Sequence, residues 1–246
     1  MIRAIRVITT ALGGVLVATV ALGFATARAE VPAHTPRVES ANIADATASS
    51  GFATHYDFGP GGGGTNGNCS FPALPKDDLY VAVGPDKYRH GAGCGTFLDV
   101  TGPKAKVRVA VMDQCHECGP GHLDLSDAAF RRIGNYNSGK IPVRFKLVKN
   151  PTVPPLALRF KEGSSAYWAA LQVINNGNAI RSVTISGHGR SLSMTRTEYG
   201  YWLAPRGAGN GPYLVQVRDV LGHRVALHNV PLKPGKVQPT KSRLYG

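Results

Sequence analysis

Residues 107–134 read VRVAVMDQCHECGPGHLDLSDAAFRRIG. Val107, Val109 and Val111 alternate with Arg108, Ala110 and Met112, a two-residue period that predicts a strand ending near Asp113. Ser126 is placed to cap a helix, Asp127 suits its first turn, Phe130 and Ile133 stand three apart, and Gly134 can end it. Two carboxylates flank the turn between strand and helix. Asp113 stands at the strand end, and Asp124 sits between Leu123 and Leu125. A carboxyl with apolar neighbours is suited to keeping its proton and acting as a general acid or as a hydrogen-bond donor to sugar. The plainer alternative is that Asp124 caps a turn and Asp113 ties down a loop.

Outward from this stretch the chain reads mainly as strand. Leu79–Val83 and Val143–Val148 are short apolar runs. Further on, Val183 and Ile185 alternate with polar neighbours, as do Tyr213, Val215 and Val217. Asn175–Asn178 marks a tight hairpin turn, and the short strands separated by Gly and Pro turns suggest a sandwich. Residues 150–155, NPTVPP, read as a short stiff linker. All the cysteines lie before it and both tryptophans after it, which divides the chain into residues 51–149 and 156–240. The segment after Lys236 is polar and is expected to be loose.

The start reads as an export signal. Arg3 and Arg6 precede an apolar run from Val7, and Ala27-Arg28-Ala29 has the small-x-small form of a cleavage site. Residues 1–29 are therefore expected to be removed, and residues 30–50 to form a flexible leader. No later segment is long and apolar enough to cross a bilayer, so the mature chain is expected to be extracellular. Export favours disulfides among Cys69, Cys94, Cys115 and Cys118, for which three pairings are open. A zinc site with His116 and His122, or a redox Cys115/Cys118 pair, are the weaker alternatives. The net charge of +13 falls to about +10 once the signal arginines Arg3, Arg6 and Arg28 are removed. Outside the cell such a charge does not point to nucleic acid. It suits acidic wall polymers such as pectin, or simply solubility.

Residues 112–126 resemble the bacterial expansin motif. Gly51-Phe52-Ala53-Thr54-His55-Tyr56 is similar to the opening strand of that family, and residues 101–104 and 161–168 also match. The resemblance covers most of residues 51–235. It implies an all-β chain in which a double-psi β-barrel is followed by an immunoglobulin-like β-sandwich that binds cellulose. It implies that wall loosening depends on Asp124, that Asp113, Thr54 and Tyr56 line the same groove, and that no cofactor or metal takes part. It implies a platform of Tyr167, Trp168 and Tyr199 with Lys161 nearby, and a Cys69–Cys94 disulfide that leaves Cys115 to pair with Cys118. Exposed rings suit a glucan because its flat C–H faces need apolar contact and few hydrogen bonds.

Adjacent strand residues point opposite ways, so Tyr167 and Trp168 can both face outward only at a bulge or a strand start. Trp202 has no platform counterpart and is assigned to the core. Asp57 stands where expansins usually carry a small residue, and it reads as the start of the glycine-rich loop at 59–64. The expected function is that of a monomeric secreted protein that binds cellulose and related polysaccharides and loosens them without hydrolysis. The alternatives are an inverting glycoside hydrolase or lytic enzyme, using Asp124 as acid with Asp57 or Asp113 as base, and a pure carbohydrate binder.

Overall fold

The computed structural model describes residues 48–58 and 67–246. The expected signal, nearly all of the leader and the glycine-rich loop lie outside them. Six strands close the barrel: β1 (Ser49–Tyr56), β2 (Tyr80–Val83), β3 (Phe97–Thr101), β4 (Lys106–Gln114), β5 (His122–Ser126) and β6 (Ile141–Leu147). Their order around the wall is β1-β5-β2-β4-β3-β6. The β1–β5 and β2–β4 pairs are parallel and the others antiparallel. Closure leaves no open edge, and alternate residues fill the interior with Ala53, Val81, Val109, Leu123 and Phe145. The valine alternation of β4 holds at its start. Further along, Ala110 and Met112 are buried as well, because that part of the strand is covered on both faces.

The helix expected after Asp124 is α2 (Asp127–Ile133), following a shorter α1 (Pro85–Tyr88) that the sequence reading did not identify. Ser126 caps α2, its side chain accepting from the Ala129 amide. α1 is a single turn with proline in its first turn, too short to show an apolar period.

The second half is a β-sandwich. One sheet runs β10 (Arg190–Ser193), β9 (Ile180–Gly187), β13 (Tyr213–Asp219) and β14 (Arg224–Val230). The other runs β11 (Thr195–Arg196), β12 (Trp202–Ala204), β8 (Ala169–Ile174), β7 (Ala157–Phe160) and β15 (Val237–Pro239). Leu158, Phe160, Leu171, Val183, Val215 and Val217 from both sheets share one core, and Trp202 belongs to it as expected.

Three expectations change. Asn175–Asn178 is not a hairpin turn, because β8 and β9 lie in different sheets. Asn175 and Gly177 do have the left-handed backbone that such a turn needs, but Asn178 turns inward to the buried Asp219 at 2.7 Å, and the chain crosses over. The segment after Lys236 is not loose. β15 pairs with β7, the Thr240 amide donates to the Leu156 carbonyl at 2.9 Å, and Leu244 is buried. Finally, β1 begins at Ser49, so order starts two residues earlier than expected. Among the described residues no helix is long and apolar enough to cross a membrane.

Gly51 is where β1 passes nearest to the turn before β5. A Cβ there would lie 1.9 Å from the Gly121 carbonyl oxygen. Neither backbone can yield without breaking the β1–β5 ladder. Gly51→Ala is therefore expected to cost roughly 3 kcal/mol or more, read as a lower urea midpoint. An unchanged midpoint would mean that the two backbones have room to part.

Candidate functional site

β1 and β5 run side by side in parallel, and their register sets Thr54 opposite Asp124. The Thr54 hydroxyl donates to Asp124 Oδ1 at 2.6 Å. The same hydroxyl oxygen lies 2.8 Å from His122 Nε2. Threonine has one proton to give, and an ionised carboxylate can only accept. The hydroxyl proton therefore goes to Asp124, and the oxygen accepts from His122 Nε2–H. In the neutral imidazole this leaves Nδ1 as an acceptor. The ring stacks on Phe52 at 4.3 Å, and Lys140 Nζ lies 3.7 Å from the Phe52 centroid. Burial is the main cause that holds the His122 pKa below its ordinary 6.5, with Lys140 adding to it and Asp124 and Glu117 opposing it.

Asp113 lies at the end of β4, as the alternation predicted. Its Oδ1 accepts from the Asn68 amide at 2.6 Å and the Gln114 amide at 2.8 Å. Gly67, with φ +75°, passes so near that a Cβ would lie 2.8 Å from the Asp113 Cβ. The loop-tying role, the plainer alternative for Asp113, is thus present in the geometry.

Tyr56 joins the two carboxylates. Its phenol is driven far above the ordinary tyrosine range, first by burial and then by the charges of Asp113, Tyr80 and Asp124. It stays protonated, and its buried oxygen makes no well-formed hydrogen bond in the free protein. The ring meets Phe58 and Tyr80 edge-on at 5.2 and 5.7 Å, and those two stack on each other at 5.2 Å. The Tyr80 hydroxyl lies 3.4 Å from Asp57 Oδ1, and burial together with Asp57 raises the Tyr80 pKa to about 12. Sequence reasoning missed His122 as a neighbour of Asp124, and it missed the Phe58–Tyr80 stack. His122 was weighed only as a metal ligand. Tyr80 lies in an apolar run that reads as plain core.

The platform residues stand on two loops. Lys161 opens the β7–β8 loop, and Tyr167 and Trp168 close it. β8 begins at Ala169, so a strand start releases both rings from strict alternation. Tyr167 is 85% exposed, Tyr199 is 37% exposed, and Trp168 is half-buried. The loop is a fixed shape. The Ser165 amide donates to the Trp168 carbonyl at 2.6 Å and the Gly209 amide to the Ala166 carbonyl at 3.0 Å. Tyr199 lies on the turn before β12. In the ladder Ala204 faces Ala169 and Trp202 faces Leu171, so this turn and Trp168 flank opposite ends of the β12–β8 pairing.

All four cysteines are oxidised. Cys69 pairs with Cys94 and Cys115 with Cys118, as the resemblance implied. Their sulfurs are therefore not available as zinc thiolates. Among the described residues no group of three or more His, Cys, Asp or Glu side chains could hold a metal ion.

The depressed His122 pKa has a definite sign. A histidine that resists protonation when folded binds more protons unfolded, so its contribution is present above about pH 6.5 and lost as pH falls through the lower folded value. Stability is expected to drop between pH 7.5 and pH 5, and His122→Gln is expected to flatten that slope in urea unfolding. An equal slope in the variant would assign the pH dependence elsewhere.

A family model described as lytic transglycolase matches residues 82–145, within the barrel. Expansin-YoaJ of Bacillus subtilis (strain 168) is 34% identical over 188 residues, spanning 75% of this chain and 78% of its own. The crystal structure of apo expansin from Clavibacter michiganensis superposes with a TM-score of 0.79 at 50% identity, covering 81% of this chain and 99% of that one. A mutant of the same Clavibacter protein, in complex with cellohexaose, gives a TM-score of 0.77 at 49% identity with the same coverage. A closed barrel followed by a sandwich, matched over most of both chains by such relatives, places this protein in the expansin family.

Proposed function

We propose that this expansin is exported by residues 1–29, acts outside the cell as a monomer, and loosens cellulose-type polysaccharide without hydrolysing it. Residues 51–149 form the groove-bearing part and 156–240 the platform-bearing part, joined by 150–155. The observation that carries the reading is the pairing of two unlike surfaces. One is a part-buried polar cluster of Asp124, Thr54 and His122, and the other is a loop presenting Tyr167 with 85% of its surface exposed. A ring left that open gains nothing in the fold and is suited to covering a flat sugar face. The cellohexaose complex of the Clavibacter relative supports a glucan chain as ligand.

In this reading Asp124 is the central contact, Thr54 and His122 orient it, and Tyr56 and Asp113 belong to the same site. Chains slip because contacts between them are exchanged for contacts to the protein. Asp57 and Asp113 would be the candidate bases of a hydrolase. Both already accept hydrogen bonds from the protein, Asp57 from Tyr80 and Asp113 from two backbone amides. The basic surface of the chain supports acidic polymers such as pectin as additional partners. A second reading, a lytic enzyme, is favoured by the description of the family model matched over 82–145.

Reducing-sugar release from cellulose, β-glucan and peptidoglycan is expected to stay at the level of an Asp124→Asn control. Sustained release above that control would establish the lytic reading. Creep of heat-killed plant wall under load is expected with the native protein and lost with Asp124→Asn. No creep from the native protein would reduce it to a binder. Tyr167→Ala and Trp168→Ala are each expected to weaken binding to microcrystalline cellulose roughly tenfold. Unchanged binding in Trp168→Ala would return that ring to a packing role.

A further inference from the structure

The Cys69–Cys94 disulfide lies where the barrel meets the sandwich, and each half-cystine carbonyl is taken by a sandwich side chain. Gln172 Nε2 on β8 donates to the Cys69 carbonyl at 2.9 Å. Asn176 Nδ2, just beyond β8, donates to the Cys94 carbonyl at 3.0 Å and to the nearby Asn178 carbonyl at 2.9 Å. Both amides are sealed from water, with Gln172 at 0% and Asn176 at 1% exposure. Their oxygens, Gln172 Oε1 and Asn176 Oδ1, are buried without a hydrogen-bond partner.

That last fact is informative. A buried amide with half of its capacity unmet is a poor choice for the interior of a sandwich, where an apolar side chain of similar size packs without that cost. What the amide supplies is a directional bond across the junction. For Gln172 the bond to Cys69 is the one hydrogen bond its side chain makes among the described residues.

The same junction holds the turn that carries Tyr199. A Cβ on Gly200 would lie 2.2 Å from the Cys69 carbonyl oxygen, and one on Gly91 would lie 2.6 Å from the Thr197 carbonyl oxygen. The Tyr88 hydroxyl donates to the Glu198 carbonyl and sits 3.6 Å from Cys94 Sγ. Residues 197–200 are thus gripped from both sides by the barrel segment that the disulfide closes. β8 runs directly from Trp168 to Gln172, so the other platform ring shares the same anchor.

We propose that Gln172 and Asn176 are positioning residues which, through the Cys69–Cys94 bridge, lock the aromatic platform to the barrel so that groove and platform present one surface to a glucan. The functional part of this proposal rests on the reading that both surfaces bind the same chain. Groove and platform then act as linked sites, and freeing one from the other removes the gain that linkage brings.

The test uses the full mature chain with Gln172→Met, which keeps the side-chain volume and removes the amide, and with Cys69→Ala/Cys94→Ala. Calorimetry, small-angle scattering and binding to microcrystalline cellulose are measured on each. With Gln172→Met a single unfolding transition is expected to split into two, with the sandwich transition not lowered. The scattering profile is expected to broaden, and cellulose affinity to fall on the order of tenfold. The cysteine pair should show the same changes, and if it fails to fold, Gln172→Met alone carries the test. A single transition with native scattering, whatever its temperature, would overturn the proposal and leave Gln172 a packing residue. Failure of the shared-ligand reading is separable: Tyr167→Ala would then bind cellulose normally while Gln172→Met still split the transition.

Discussion

The parallel register of β1 on β5 governs the chemistry of this protein. Because side chains alternate along a strand, a slip of one residue would set Ala53 or His55 where Thr54 stands, and the contact with Asp124 would vanish. The register is held by the close passage of Gly51 and Gly121, by the packing of Ala53 into the barrel, and by the return of β6 along the other edge of β1. The opposite face of β1 uses the same register. His55 meets Asp127 at 2.7 Å in the first turn of α2, and Tyr136 donates to the second oxygen of Asp127, also at 2.7 Å. These bonds hold the Asp127 pKa below the usual carboxylate range against the opposing effect of burial. One short strand thus fixes both the groove and the helix behind it.

Under the proposed function, the residues around Asp124 and the exposed rings would meet sugar by different physics. In the groove the strong contacts are made between protein groups before any ligand arrives: Thr54 to Asp124, His122 to Thr54, and backbone amides to Asp113. Such prior ordering lowers the entropy lost on binding. The platform rings instead offer apolar area whose value does not depend on which sugar hydroxyl is presented. On that reading a surface of this second kind grips without selecting an orientation, and the residues around Asp124 supply the selection. The two would serve one chain only while their relative placement is fixed, which is the role proposed for the junction.

Much of this was legible in the sequence, and the failures have physical causes. The valine alternation of β4, the Ser126 cap and the Gly134 stop are local features, and local rules located them. The disulfide pairing and the barrel came from motifs that resemble a known family, because spacing alone leaves three pairings open. The Asn175–Asn178 turn was misread because left-handed residues mark a reversal without saying which strand receives the chain. A buried aspartate far along the sequence, Asp219, decides that. The C-terminal segment was misread because its polar residues hide a backbone ladder to β7, and such ladders leave no compositional trace. His122 escaped notice as a neighbour of Asp124 for a similar reason. Its role depends on a parallel partner 68 positions away.

The same geometry bears on the proposal that the site around Asp124 loosens rather than cuts. Inverting hydrolysis needs a second carboxylate with a free lone pair aimed at a water molecule, some 6.5–9.5 Å from the acid. Asp113 gives Oδ1 to two backbone amides and lies beside the Tyr56 phenol. Asp57 faces Tyr80, whose raised pKa keeps a proton directed at it. One oxygen of each candidate base is engaged as an acceptor within the protein. Asp124 is engaged differently. Its partner Thr54 is a side-chain hydroxyl with a flexible rotor, and a sugar hydroxyl can replace it with an equivalent bond. A carboxylate whose protein partner can be exchanged for a sugar hydroxyl supports the proposed reversible hydrogen bonding along a chain.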